Sequence, residues 1–273
     1  MAVPMVGADS RLDNDTVTTS PAEDDNFPAA NLSDDRTFTV FKTTSAATTV
    51  TVDTDAGSGN TVDVDYFMMV GHNFFSLGGG VPNLVQLLSA GEDLVFDNQI
   101  FSVTPADDKI ILRTFPTVTD RAFRLRLIKA SGFIPSIGQL QWGVRVDMEF
   151  GTQVGFDPQE ERLVARINRS QTGQILGAIS TYSERRATIN IPLVTNAFVR
   201  STTAPGGFQD FWDNHATQMF PFVFAWNPGN PGSFEKDAFF CQLEPGQMIQ
   251  RPLRTPLDSG FRDLEFRVTG LKE

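Results

Sequence analysis

Between Phe27 and about Phe150, apolar residues recur with a period of two in short runs separated by turn-forming clusters, which predicts half-buried β-strands. Arg36-Thr-Phe-Thr-Val-Phe-Lys42 and Thr48-Thr-Val-Thr-Val-Asp53 alternate and are rich in β-branched residues, and Asp55-Ala-Gly-Ser-Gly-Asn60 follows as a turn. Further strands are predicted at Val64–Val70, Leu84–Leu88, Leu94–Val103, Lys109–Phe115, Arg121–Lys129 and Leu140–Glu149. Within Phe123-Arg-Leu-Arg-Leu127 the apolar side chains face inward and Arg124 and Arg126 outward. Strands at this spacing, without long helical patterns, predict an antiparallel β-sandwich over residues 27–150.

A loop at Gly151–Gln159 is the expected domain boundary. Beyond it, strands are predicted at Arg162–Asn168, Gln174–Ile179, Arg186–Val194, Asp237–Leu243 and Phe261–Thr269, with Asn227-Pro-Gly-Asn-Pro-Gly232 as an emphatic turn. Phe208, Phe211, Trp212, His215 and Met219 fall on one face at helical spacing, so one helix is expected at about Gly206–Gln218. In Phe220-Pro-Phe-Val-Phe-Ala-Trp226, Phe220, Phe222, Phe224 and Trp226 share one face of a strand. The fold class is therefore mainly β: a sandwich followed by a second antiparallel β domain with one helix over residues 151–273.

Residues 1–26 form a polar arm carrying Asp9, Asp13, Asp15, Glu23, Asp24 and Asp25. Its sizeable apolar groups are Val3, Met5, Val6, Leu12 and Val17. Fixing each backbone residue costs ~1–2 kcal/mol, whereas burying each of those side chains returns only ~1.5–3 kcal/mol. An ordered arm is thus expected to lie on a neighbouring subunit.

Composition narrows the class. A hydrophobic fraction of 40% and a charged fraction of 20% describe a globular protein with a real core. No uninterrupted apolar run reaches the ~18 residues of a membrane helix, and Met1-Ala2-Val3-Pro4-Met5 is not the start of a secretory signal, so membrane insertion is not expected. The single cysteine, Cys241, excludes an internal disulfide framework and any multi-cysteine zinc site. Of the net charge of −11, most arises in the first 65 positions, which hold 3 basic and 12 acidic residues; such a surface repels nucleic acid. Basic residues are 17 Arg and 5 Lys, a bias suited to packed interfaces.

Catalytic signatures are sparse. His215 belongs to the apolar stripe of the helix, and His72, in Gly71-His-Asn73, follows a buried strand; packing or capping explains each better than acid–base work. There is no nucleophile elbow, Walker motif, dinucleotide fingerprint or His-Glu-x-x-His; Gly78-Gly-Gly80 leads into Val-Pro, not into a helix. The carboxylate pairs Asp53/Asp55, Asp63/Asp65, Asp107/Asp108 and Glu160/Glu161 are of the type that binds calcium or performs glycosidic acid–base chemistry, but in this acidic, turn-rich region solvated loop edges are the expected reading. Cys241 in Ala238-Phe-Phe-Cys-Gln242 reads as a small buried hydrophobe. Aromatics are 24 Phe and 3 Trp against 2 Tyr, a set suited to cores and subunit contacts more than to wet sugar platforms. No catalytic, cofactor-binding or metal-ligating residue is therefore assigned.

Asn26-Phe-Pro-Ala-Ala-Asn-Leu-Ser-Asp-Asp35, then Phe38-Thr-Val-Phe-Lys-Thr-Thr44, resembles the opening of the discoidin-like (galactose-binding-like) jelly rolls of tailed-phage structural proteins. Val40-Phe41-Lys42 stands where that family commonly carries Trp-Arg. Asp65-Tyr-Phe-Met-Met-Val-Gly-His-Asn73 is similar to the family's strand ending in Gly-His-Asn, and Phe123–Leu127 with Ile137-Gly-Gln-Leu-Gln-Trp-Gly143 to its closing strands. The second half, with Arg166-Ile-Asn-Arg-Ser-Gln-Thr-Gly173, Arg185-Arg-Ala-Thr-Ile-Asn190, Phe211-Trp212 and Phe222-Val-Phe-Ala-Trp-Asn-Pro228, resembles a phage tail module. The resemblance implies a non-enzymatic virion protein of the tail tip or baseplate, distal-tail-adaptor-like, homo-oligomeric and docked to other tail proteins. The alternative is a carbohydrate-binding adsorption protein whose jelly-roll loops hold a host-surface glycan.

Overall fold

The computed structural model describes residues 3–78, 83–152, 161–203, 206–228, 237–244, 246, 250–252 and 260–270. The chain opens with β1 (Met5–Gly7), the one-turn helix α1 (Arg11–Asn14) and β2 (Thr16–Ser20), then continues through β3 (Ala47–Asp55), β4 (Val62–Val70), β5 (Asn83–Ala90) and β6 (Asn98–Val103). Next come β7 (Ile111–Asp120), β8 (Ala122–Phe133), β9 (Gln139–Gly143) and β10 (Arg145–Asp147). The second half supplies β11 (Glu161–Arg169), β12 (Ile175–Thr195), α2 (Asn196–Val199), α3 (Phe208–Asn214), β13 (Phe222–Ala225), β14 (Ala238–Leu243), β15 (Gln250–Pro252) and β16 (Phe261–Gly270). The protein is mainly antiparallel β, and every strand pairing among the described residues is antiparallel.

Three sheets stack face to face. A five-stranded sheet (β2-β3-β8-β5-β6) and a three-stranded sheet (β7-β4-β9) form the jelly roll; an eight-stranded sheet runs β10-β1-β13-β14-β16-β12-β11 with β15 beside β16. Alternation along β4 explains the stacking. Val64, Phe67 and Met69 belong to the jelly-roll core with Leu125 and Trp142, whereas Tyr66, Met68 and Val70 pack on Met5, Val223, Ala225, Ala238 and Phe240 of the large sheet. A sheet covered on both faces reads as a continuous apolar run, which is what Tyr66-Phe-Met-Met-Val70 is. The far face of the large sheet carries Val6, Phe222, Phe224, Phe239 and Cys241 and is closed by Phe208, Phe211 and Trp212 of α3. Five-stranded sheet, three-stranded sheet, eight-stranded sheet and helix thus form successive layers, each buried contact worth ~1.5–3 kcal/mol per large side chain.

Several expectations change. The arm does not wait for another subunit: β1 is inserted between β10 and β13 of the same chain, and Met5 and Val6 are fully buried. Division at residue 151 does not separate the sheets either, because β1 and β10 precede it and belong to the large sheet. The boundary loop Gly151–Gln159 lies largely outside the described residues, as do most of the 227–232 turn and Gly79-Gly80. Arg36–Lys42 is not a strand but an irregular segment tied by one bridge, Phe41 to Ile137, while the Asn31 amide nitrogen donates to the Val40 carbonyl (2.8 Å). The expected strands at Gln174–Ile179 and Arg186–Val194 are one long strand, β12. The main helix is shorter than expected, since the backbone of His215 (φ −129°, ψ −65°) ends it and Met219 turns left-handed (φ 63°), taking its side chain off the buried stripe.

Candidate binding surfaces

At one end of the jelly roll four loops are stapled together. Asn73 exchanges bonds with Ser136, its amide donating to the Ser136 carbonyl (3.2 Å) and its Oδ1 accepting from the Ser136 amide (2.9 Å). Asp108 accepts from the amides of Phe75 (2.8 Å) and Ser76 (3.1 Å), so this carboxylate caps the short 3-10 turn at Ser76–Gly78. Lys129 Nζ donates to the Leu77 carbonyl, and Asn83 Nδ2 to that of Phe74 (2.5 Å). The segment before β3 joins through the close approach of the Thr37 carbonyl to Gly71 and Gly138; a Cβ on Gly138 would lie 3.0 Å from that oxygen. On these loops Phe38 (80% exposed), Phe75 and Ile134 stand out of the surface. Phe75 and Asp108 are used here in ways that residue type alone did not indicate.

His72 lies beneath this end and is buried. Its Nδ1 accepts from the Phe74 amide (3.3 Å) and its Nε2 faces the Lys109 carbonyl at 2.7 Å, which fixes the neutral Nε2–H tautomer. Burial pushes its pKa below the usual imidazole range, against the opposing pull of the Lys109 carbonyl and Asp108. His215 likewise directs Nε2 at the Pro221 carbonyl (2.7 Å) and is lowered by burial. Both imidazoles have structural partners.

The carboxylate pairs are divided among other partners. Arg124 forks onto Asp53 (2.8 and 2.6 Å), and Arg121 onto Asp55 (2.8 and 2.9 Å) while also reaching Glu92 (3.0 Å). The hydrogen bonds of Arg121 hold the Asp55 carboxyl below its usual range. Asp63 accepts from Thr119 (2.5 Å), and Asp65 from the Arg145 amide (2.9 Å). Asp107 closes a turn onto the Lys109 amide (3.0 Å). Glu160 and the side chain of Glu161 lie outside the described residues. Among the described residues no group of three acidic, His or Cys side chains is placed to hold a metal ion. Cys241 is buried against the Phe222 carbonyl (3.5 Å).

The second exposed surface is a ribbon. β16 pairs with β12 only from Arg186 onward, whereas β11 pairs with β12 from Arg185 back to Ile175. The distal part is therefore a two-stranded hairpin extending past the sheet. It carries Ile167 together with Ile175 (61%), Leu176 (70%) and Ile179 (68%) in solvent. Sequence alternation marked the strands but not that their apolar residues would remain uncovered.

No family model matches this chain, and no curated relative does. Solved structures similar to it include a GH29 fucosidase from Ruminococcus gnavus in complex with fucose (14% identity, TM-score 0.40), covering 50% of this chain and 26% of the fucosidase. This chain therefore spans about a quarter of that enzyme's length. A chitosan-binding module from a Paenibacillus sp. chitosanase/glucanase is also similar (14% identity, TM-score 0.38, 49% of this chain and 98% of the module). So is a family-32 carbohydrate-binding module from Clostridium perfringens in complex with GalNAc-β-1,3-galactose (14% identity, TM-score 0.38, 49% and 98%).

Proposed function

We propose that this chain is a non-catalytic structural subunit of a bacteriophage tail tip or baseplate. In this role it assembles with further copies of itself into a ring and docks neighbouring tail proteins. The observation that carries the reading is the β11–β12 ribbon. A two-stranded ribbon is marginal alone in water, and Ile167, Ile175, Leu176 and Ile179 are left in solvent by their own chain. Among the described residues β11 is also the edge strand of its sheet, pairing only with β12. A partner that covers the ribbon supplies both the missing burial and the missing hydrogen bonds. The structural use of His72, His215 and the paired aspartates supports a role without catalysis. Native mass spectrometry and electron microscopy test the proposal: the wild type should form a closed oligomer, and Ile175→Asp/Ile179→Asp should give a folded monomer. A wild type that stays monomeric at high concentration overturns it.

A second reading, adsorption to a host glycan, rests on the stapled loop end, where Phe38 and Phe75 offer exposed ring faces beside polar loop groups. Glycan-array binding that is lost in Phe38→Ala or Phe75→Ala would favour it; absence of binding in the wild type would remove it.

A further inference from the structure

A cavity of about 320 Å³ lies where the arm meets the second half of the chain, between residues 8–14 and α3, with Val144 and Val146 behind. Its polar lining includes Asp9, Ser10, Asp13, Asp210, Asn214 and His215. Among the described residues, three carboxylates share this wall and no Lys or Arg does. The adjacent cation, Arg11, is engaged with Asp15 (2.6 Å). The side-chain amides of the wall are engaged within it: Asn14 Nδ2 donates to the Ser10 carbonyl (3.1 Å), and Asn214 Nδ2 to Asp210 Oδ1 (2.8 Å). Because the Pro221 carbonyl can only accept, His215 spends its proton there and keeps Nδ1 as an acceptor. Ser10, 3% exposed, has a buried hydroxyl with no hydrogen-bond partner. Burial also raises the Asp9 carboxyl, opposed by the Val144 amide and by the charge of Arg11, with Asp15 and Asp210 adding to the rise.

The wall thus presents three carboxylates, the acceptor Nδ1 of His215 and the unpartnered Ser10 hydroxyl, while its side-chain amides are already engaged. A metal ion does not answer this, since these groups do not converge as a ligand set. A flat cation with several divergent N–H groups does, because it can reach carboxylates that stand apart. We infer that this cavity is a binding site for a guanidinium group, held by Asp9, Asp13 and Asp210. The inference is independent of the assembly role proposed above.

Calorimetric titration of the full chain tests it, with L-argininamide as the free guanidinium and N-acetyl-Gly-Arg-Gly-amide as the protein-borne one. L-citrullinamide, a neutral isostere, and L-lysinamide serve as comparisons. At least one guanidinium probe should bind at one site per chain. It should bind about tenfold or more tighter than citrullinamide and tighter than lysinamide. Tighter binding of the peptide assigns the site to an arginine of a partner, and tighter binding of argininamide to a small guanidino compound; both support the site. Asp210→Asn and Asp13→Asn, each near-isosteric, should each weaken binding about tenfold while the thermal unfolding transition persists. Two variants are used so that one misfolding leaves the other informative. Lack of binding by both guanidinium probes, equal affinity for citrullinamide or lysinamide, or indifference to both substitutions overturns the inference.

Discussion

The indole Nε1 of Trp142 donates to the hydroxyl of Thr54, 3.2 Å away, across the interior of the jelly roll. Trp142 comes from β9 in the middle sheet and Thr54 from β3 in the five-stranded sheet, and both side chains are fully buried. Two sheets that share an apolar core are joined here by a directional bond. Phe67 stacks beside the indole, with ring centroids 6.3 Å apart, and leaves it little room to turn toward another acceptor.

Replacing Thr54 with Val removes the acceptor at nearly constant volume and strands the indole N–H in a dry core. Such an orphaned donor costs about 1–3 kcal/mol. Urea unfolding of Thr54→Val should show that loss, whereas Thr54→Ser, which keeps the oxygen, should recover most of it. Equal midpoints for parent and Thr54→Val would mean that the bond contributes nothing.

Asp35 gives a pH signature. Burial, with Asp13 and Asp34 nearby, raises its pKa to about 6. The folded state therefore holds its proton more tightly than the unfolded chain, where the group titrates near ~3.9. Its ionised form opposes folding at neutral pH, and that penalty fades as pH falls from about 7 toward about 4. Asp35 also sits at φ 62°, a backbone conformation that asparagine accepts well. Asp35→Asn should be more stable than the parent near pH ~7.5, with the difference closing near pH ~4. Taking the difference between the two proteins cancels the histidines. Their lowered values act in the opposite sense, removing stability as pH falls below the unfolded value of ~6.5. A gap that does not change with pH would refute the assignment.

Nitrogen NMR of the imidazoles checks the structural role of both histidines. His72 and His215 should appear as neutral Nε2–H tautomers and take up a proton only at lower pH than an exposed histidine does. Protonation of His72 at its ordinary value would contradict its two short contacts to Phe74 and Lys109.

Much of this fold was legible because its strands obey simple alternation. Phe123, Leu125 and Leu127 all point into the core, and Phe222 and Phe224 share the face that α3 covers. What alternation does not encode is which sheet covers a second face. The run Tyr66–Val70 announces burial on both sides, but its outer partners, Val223 and Phe240, lie more than 150 residues away in sequence. Long β12 was divided because Ser180–Glu184 is polar; in a ribbon that needs no core-facing side, polarity does not end a strand. Arg36–Lys42 fails in the opposite way: its alternation is real, yet Phe38 points into solvent and only Phe41 is buried. The cavity was invisible for a similar reason. Asp9, Asp210 and His215 become neighbours only once the arm joins the large sheet.

The arm supplies the last prediction. Three residues are too few to show a period, so β1 carried no strand signal, yet it holds the centre of a layered core. Met5 faces the middle sheet and Val6 faces α3, and each finds neighbours already in place. Gly7 explains the close fit: a Cβ there would lie 2.5 Å from Tyr66 Cε2 and 2.7 Å from Val223 Cγ1. Tyr66 cannot easily retreat, since its hydroxyl donates to the Asp9 carbonyl at 2.5 Å. Gly7→Ala must therefore push the arm or the ring aside, at a cost of about 1–3 kcal/mol. Amide exchange on the isolated chain supplies the second measurement. The amides of residues 5–7 that are bonded within the sheet should be protected in the monomer, and Gly7→Ala should speed their exchange without exposing the strands of the five-stranded sheet. Fast exchange of those amides in the wild-type monomer would show that the arm joins the sheet only when another molecule holds it there.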